Sequence, residues 1–315
     1  MKSKNILRVK EEPTMTKNIH LTYLLCLVFV MHSSIFAQDL EPRRWTALPS
    51  GTTILGIGLG HNASSLNFDP LLEIDDADVK RDFLILNVTH FFSLAGKSLR
   101  FDALLPFHNA KWDGLLRGEP ADVQRTGLAD PRFRLSINLL GAPDPGSGSK
   151  KPANTVVGAA ISVNVPWGEN HEDKLLNLGN NRYTIRPQIG VVHTRGPWSY
   201  ELTGSVFFFT DNNDFFNGNK MEQDPFYAVQ THIIRVFSPG VWASLGAGYE
   251  EGSRSTVNGK KNDDNRDGFI AALSAGVPIT ANQGVKLSYI WSEINTSTAK
   301  IVHSDTVVLA WSIRF

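Results

Sequence analysis

The 315-residue chain holds one cysteine, Cys26. It sits in an apolar stretch near the N-terminus behind Leu25, where a lipoprotein signal needs a small residue. Beyond it the sequence offers no disulfide and no thiol chemistry. No run after residue 37 reaches about eighteen apolar residues, which excludes a transmembrane helix there. A barrel is still allowed, because its strands need only about ten alternating residues. An excess of charge is missing too: 31 basic residues balance 31 acidic ones. That balance gives no reason to expect nucleic acid or an anionic lipid surface as partner. The nine histidines are scattered, with no H-E-x-x-H and no G-x-S-x-G, so a hydrolase has no motif behind it. No enzyme activity and no cofactor are expected.

The N-terminus reads as a targeting segment. Met15 begins a second plausible start, with Lys17 and His20 as a basic region and Leu21–Val30 as an apolar one. Ser34-Ile35-Phe36-Ala37 is an acceptable cleavage site before Gln38. The sixteen residues 21–36 are short for a span and include His32, Ser33 and Ser34. The expected division is an extension plus signal peptide over 1–37, a periplasmic segment over 38–51, and a barrel over 52–315.

What is abundant is period-two alternation. The last eleven residues, Asp305–Phe315, place Val307, Leu309, Trp311, Ile313 and Phe315 on one face and Thr306, Val308, Ala310, Ser312 and Arg314 on the other. Such a pattern is a β-strand with one greasy and one wet face. A strand ending flush at an aromatic looks like the closing strand of an outer-membrane barrel, with Trp311, Ile313 and Phe315 as its assembly signal. Eleven earlier segments alternate similarly: 53–60, 82–94, 98–107, 132–140, 156–165, 183–194, 198–210, 227–237, 241–249, 269–279 and 285–291. The eighth is the weakest, since Thr231 and Arg235 fall on its apolar face.

The connections alternate as well. Short gaps such as Ala95-Gly96-Lys97, Arg195-Gly196-Pro197 and Ser238-Pro239-Gly240 interleave with long polar ones at 61–81, 108–131, 167–182, 211–226 and 250–268. Short periplasmic turns, long outer loops and an even strand count are the habit of bacterial outer-membrane barrels. Aromatic residues cluster at strand ends, Phe107, Trp167, Tyr183, Tyr227, Tyr249 and Trp291 at one rim and Trp198, Tyr200, Phe237 and Phe315 at the other. Two aromatic girdles suit the two membrane interfaces.

A soluble sandwich or lipocalin-like barrel would also alternate, but it would fill its interior with the bulky apolar face. Here the opposite face carries Arg100, Asp102, Arg132, Arg134, Arg186, Gln188 and Glu201. Burying those in a small packed core would be costly, whereas a water-filled lumen accepts them. The expected fold is therefore an all-β, transmembrane antiparallel barrel of about twelve strands. Arg100, Asp102, Arg132, Arg134, Arg186 and Glu201 are its candidate lumen-lining selectivity residues. Antiparallel pairing should bring Arg100 and Asp102 near Arg132 and Arg134. The plainer reading is a charge ladder that stiffens the wall.

Three further motifs are weak. Gly58-Leu-Gly60-His-Asn-Ala63 fits a dinucleotide fingerprint, but an acidic, proline-containing stretch follows where a helix is required. Gly141–Gly146 has phosphate-loop spacing, with Ser147 in the lysine position. Asp263, Asn265, Asp267 and Gly268 match the first half of a calcium loop, with Ser274 where its final glutamate belongs.

Several segments resemble a known family. They are Phe101–Phe107 (F-D-A-L-L-P-F), Thr126–Pro143 (T-G-L-A-D-P-R-F-R-L-S-I-N-L-L-G-A-P), Trp242–Tyr249 (W-A-S-L-G-A-G-Y), the Gly252–Gly268 loop and the terminal strand. Together they resemble the outer-membrane family named for the meta-pathway of phenol degradation, over essentially all of 49–315. The resemblance implies a barrel in the bacterial outer membrane that passes small solutes, aromatic or otherwise apolar ones included. Its partners would be outer-membrane lipid, the outer-membrane assembly machinery and the solute itself. The alternatives are a plugged structural or adhesive barrel that binds through its loops, or a lipid-modifying enzyme.

Overall fold

A computed structural model describes residues 40–67, 74–116, 119–142, 154–174, 176–296 and 300–315. The signal-peptide reading of 1–37 lies outside the described residues. Among those residues there are seventeen strands. They are β1 (Thr53–Asn67), β2 (Ile74–Leu94), β3 (Lys97–Leu116), β4 (Glu119–Leu128), β5 (Arg132–Leu140), β6 (Thr155–Asn164), β7 (Thr184–Arg195), β8 (Trp198–Phe209) and β9 (Asn212–Phe215). They continue with β10 (Asn219–Gln223), β11 (Phe226–Ser238), β12 (Val241–Gly252), β13 (Ser255–Val257), β14 (Lys260–Lys261), β15 (Arg266–Pro278), β16 (Gln283–Thr296) and β17 (Lys300–Arg314).

Twelve of these, all but β4, β9, β10, β13 and β14, form one closed antiparallel ring. The ring closes where β17 pairs with β1, Ile313 opposite Leu55 and Trp311 opposite Ile57. At its base Thr53 and Phe315 exchange both backbone hydrogen bonds, at 3.1 and 2.8 Å. The C-terminal residue thus completes the seam. The side chain of Phe315 is exposed, as are Leu309, Val307 and the apolar positions of the other wall strands. The polar positions opposite them, Thr89, Asp102, Ser162, Gln188, Thr203, Gln230, Ser274 and Ser288 among others, are buried. The molecule is greasy outside and polar inside, the arrangement a lipid solvent selects.

The weak eighth segment forms a full strand, β11. Arg235 faces outward near the periplasmic end, 5.2 Å from the Trp198 ring and 5.0 Å from that of Phe237. There it can keep its charge at the interface while its stem lies on aromatic surface. Thr231 turns its hydroxyl onto the Glu201 carbonyl at 2.9 Å.

The long outer connections are more ordered than a loop. β2 and β3 run 21 and 20 residues, about twice what a membrane crossing needs. Within 108–131, residues 108–116 are the outer half of β3 and pair antiparallel with β4. β3 exchanges partners at Pro106, pairing with β5 up to Leu104 and with β4 from Phe107. A proline cannot donate to a ladder, which suits it to that switch point. Beyond the same outer rim, β9, β10, β13 and β14 form a separate four-stranded sheet around Phe215, Met221 and Val257. On it, hydrogen bonds from Lys220 to Asp211 and Glu222 hold the ammonium well above the usual lysine range.

Candidate functional site in the lumen

The segment 38–51 was expected in the periplasm. Its described part lies inside the barrel over 40–48 instead, and 49–51 are exposed at the periplasmic rim ahead of β1. It turns at Pro42–Trp45, where Thr46 N–H donates to the Arg43 carbonyl at 3.3 Å. Trp45 is 3% exposed and rests on the wall at Gly158 and Gly190, which are register partners on β6 and β7. A Cβ at these positions would stand 2.4 and 2.2 Å from the indole. Only glycine allows so close an approach. The indole N–H donates to Thr203 Oγ1 at 2.9 Å. The neighbouring contacts are polar: Arg44 donates to Gln188 at 3.3 Å, and the Arg43 amide to Glu201 at 3.0 Å. Leu40 packs on Ile270 and Ala272. A segment carrying Leu40 and Trp45 finds apolar contact here that water does not offer, which is the physical reason for its position.

On the other side of the lumen the segment leaves a cavity of about 790 Å³. The cavity extends from the periplasmic rim at Thr280–Gly284 to Arg81, His108, Asp130 and Asn180 near the outer end. One flank, from β3 and β5, carries Arg100, Asp102, Arg132 and Arg134. As the parity of the strands implies, Asp102 is the register partner of Arg134. Arg134 donates to Asp102 Oδ2 at 2.8 Å, Arg100 to Oδ1 at 2.8 Å and the Thr89 hydroxyl to Oδ1 at 2.7 Å. Arg100 also donates to the Arg44 carbonyl at 3.2 Å and stands 3.9 Å from Glu41. The buried carboxylate is therefore shared by two guanidinium groups, one of which ties the wall to the inner segment. The remaining lining from β1, β2, β16 and β17 is mixed, with Ile54, Ile85, Phe91, Ile290 and Val308 among polar residues such as Asn87, Ser288 and Thr306.

Two of the expected lumen residues do not line this cavity. Glu201 is buried and taken up by the Arg43 amide. Arg186 lies in the outer part of the lumen, donating to Ser205 Oγ at 3.1 Å with its guanidinium 4.4 Å from the Phe207 ring. Arg182 and Arg266 stand beside it in the same fashion, over Phe209 and Phe226.

Sequence reasoning missed two parts of the site. Glu41, Arg44 and Trp45 come from the inner segment. Asp130 was passed over although it stands inside the T-G-L-A-D-P-R-F-R-L stretch. It accepts the Gly168 and Asn180 amides at 3.0 and 2.8 Å and the Asn180 side chain at 2.9 Å. These bonds fold the connection 165–183 inward, so that Asn177–Asn180 reach the outer end of the cavity. The half-motif for calcium is not assembled. Asp263 is exposed, Asp267 accepts from Asn295, and it is Asp264 that is buried, held by Ser255. No three His, Asp or Glu side chains among the described residues converge to hold an ion. The glycines of Gly58-Leu-Gly60 lie in the barrel wall, where Phe83 covers Gly60.

A closed twelve-stranded ring with an apolar exterior and a polar, partly filled interior defines an outer-membrane β-barrel. The chain belongs to the family described as "Putative MetA-pathway of phenol degradation", whose model matches residues 57–300. No curated protein matches the sequence. Among solved structures, the COG4313 outer membrane channel from Pseudomonas putida F1 is similar at TM-score 0.73 and 22% identity, covering 88% of this chain and 100% of that one. The β domain of the Bordetella autotransporter BrkA reaches TM-score 0.47 at 9% identity, over 84% and 100%. A Pseudomonas aeruginosa FadL homologue reaches 0.40 at 8%, over 84% and 90%.

Proposed function

We propose that the protein is an outer-membrane channel for passive passage of small solutes, aromatic and other apolar compounds among them. The observation that carries this reading is the cavity of about 790 Å³ between the inner segment and the β1–β3 and β15–β17 walls. Its size falls within the range of small-molecule sites. It combines apolar side chains such as Ile54, Ile85, Ile290 and Val308 with polar and charged groups, which suits solutes that a purely watery pore would not favour. Support also comes from the similarity to a protein described as an outer membrane channel. On this reading Arg100, Asp102, Arg132 and Arg134 set selectivity along the wall, while Arg186 and Glu201 shape the lumen outside this cavity.

The inner segment favours a second reading, a plugged barrel whose outer strands and four-stranded sheet bind partners. Planar-bilayer conductance separates the two. The channel reading expects current through the full-length mature chain and a larger current after deletion of residues 40–48. Silence from both proteins, each folded by heat-modifiability, would leave the plugged reading standing.

A further inference from the structure

The charges along the cavity are unequal. Among the described residues seven Lys and Arg side chains line it against three carboxylates, Glu41, Asp102 and Asp130. The carboxylates have structural work: Asp102 is held by Arg100, Arg134 and Thr89, and Asp130 by Gly168 and Asn180. The excess of positive charge belongs to the sum, however the groups pair. It also runs the length of the cavity, from Arg81 at the outer end through Arg132 to Lys286 and Arg314 at the periplasmic rim. A low-dielectric wall focuses such a potential into the space it encloses. On β1, β2, β16 and β17 the lining also includes Ile54, Ile85, Ile290 and Val308, while Arg100, Arg132 and Arg134 stand together on β3 and β5.

We infer that the cavity selects an anion with an apolar body, a monocarboxylate on an aromatic ring or short alkyl chain. The carboxylate lies toward Arg132 and the Arg100–Arg134 flank, and the hydrocarbon lies on the β1–β2 and β16–β17 flank. A planar, two-pronged guanidinium matches a carboxylate better than it matches a hydroxyl or an amide. An apolar cation would meet the same flank with like charge. The inference rests on the channel reading and narrows it, since a neutral hydrocarbon would make no use of the arginines.

The test uses full-length mature protein in phosphatidylcholine nanodiscs, titrated calorimetrically with 4-butylbenzoate, 4-butylbenzyl alcohol and 4-butylbenzylamine. The carboxylate should bind at least tenfold tighter than the alcohol, and the amine more weakly than either. Arg132→Gln should erase the preference for the carboxylate and leave alcohol binding within twofold, while Arg132→Lys should restore part of it. Equal binding of carboxylate and alcohol, or a preference that survives Arg132→Gln in a folded barrel, would overturn the inference. So would a protein that conducts in bilayers and binds none of the three. Binding of the carboxylate by a protein that never conducts would instead overturn the channel reading and leave the site in place.

Discussion

Replacing Trp45 with alanine should open the lumen. The indole is almost fully buried, and an aromatic side chain of this kind removes about 150–250 Å² from water. At about 25 cal/mol per Å² that amounts to roughly 4–6 kcal/mol of favourable transfer. Large-to-alanine truncation of buried aromatics costs about 3–5 kcal/mol. Unlike a residue in a wall strand, Trp45 sits on a segment that contributes to no ladder and continues into β1. The loss should therefore fall on docking of residues 40–48 and spare the ring of strands. At about 1.4 kcal/mol per tenfold change, the ratio of docked to undocked segment should drop by a factor of roughly 10²–10⁴. Single-channel recording reads this as a rise in mean conductance toward the level of the 40–48 deletion, with unchanged heat-modifiability. Gly190→Ala attacks the same contact from the wall, since its Cβ would stand 2.2 Å from the indole, and should give the same rise. If both variants conduct like the parent while the deletion conducts more, the indole platform does not hold the segment and the reasoning fails.

Asp102→Asn leaves Arg100 and Arg134 facing a neutral side chain, and breaking such a buried pair costs about 3–5 kcal/mol; urea unfolding in liposomes should show a lower midpoint, and an unshifted midpoint would mean that water already carries the charge. Arg132→Gln should move the reversal potential in a salt gradient toward cation preference with little change in stability. Deleting Phe315 removes the backbone group that bonds to Thr53, so assembly yield should collapse while any barrel that does form keeps the parent's ion preference. Asp130→Ala frees the Gly168 and Asn180 amides, and limited proteolysis should then cut within 165–183 in folded protein that is otherwise resistant.

The wall of the barrel was legible because lipid on one side and water on the other impose a period of two. Leu55, Ile57 and Leu59 against three glycines, or Val307 to Phe315 against small and polar residues, can mean little else. The outer halves of β2 and β3 were not legible for the same reason in reverse. In the outer halves the inward face mixes Arg81 and His108 with Val79, Ala110 and Trp112, all buried, so stretches such as 78–81 and 108–116 lose the alternation and read as loop. The Asp102–Arg134 pair followed from parity and antiparallel neighbourhood alone. The inner segment did not follow, because Glu41-Pro-Arg-Arg-Trp45 has no period and contributes to no ladder. Its one trace was split across the chain: a lone tryptophan before the first strand, and inward glycines at matching heights in two later strands. Asp130 was hidden because its partners come from a connection some forty to fifty residues further on, where sequence spacing says nothing about approach.

The seam between β1 and β17 is also the place where the inner segment is moored. Gly51 and Thr52 bond to Phe91 on β2, and Thr53, the next residue, exchanges bonds with Phe315. First strand, last residue and inner segment therefore share one corner of the periplasmic rim. Any tension drawn on the segment from below is delivered to that corner, as peeling at the end of the β1–β17 and β1–β2 ladders. The eight residues from Trp45 to Thr52 are the slack between the indole's seat and the barrel's closing seam. Their length sets how far the segment can swing before the wall itself begins to feel the pull.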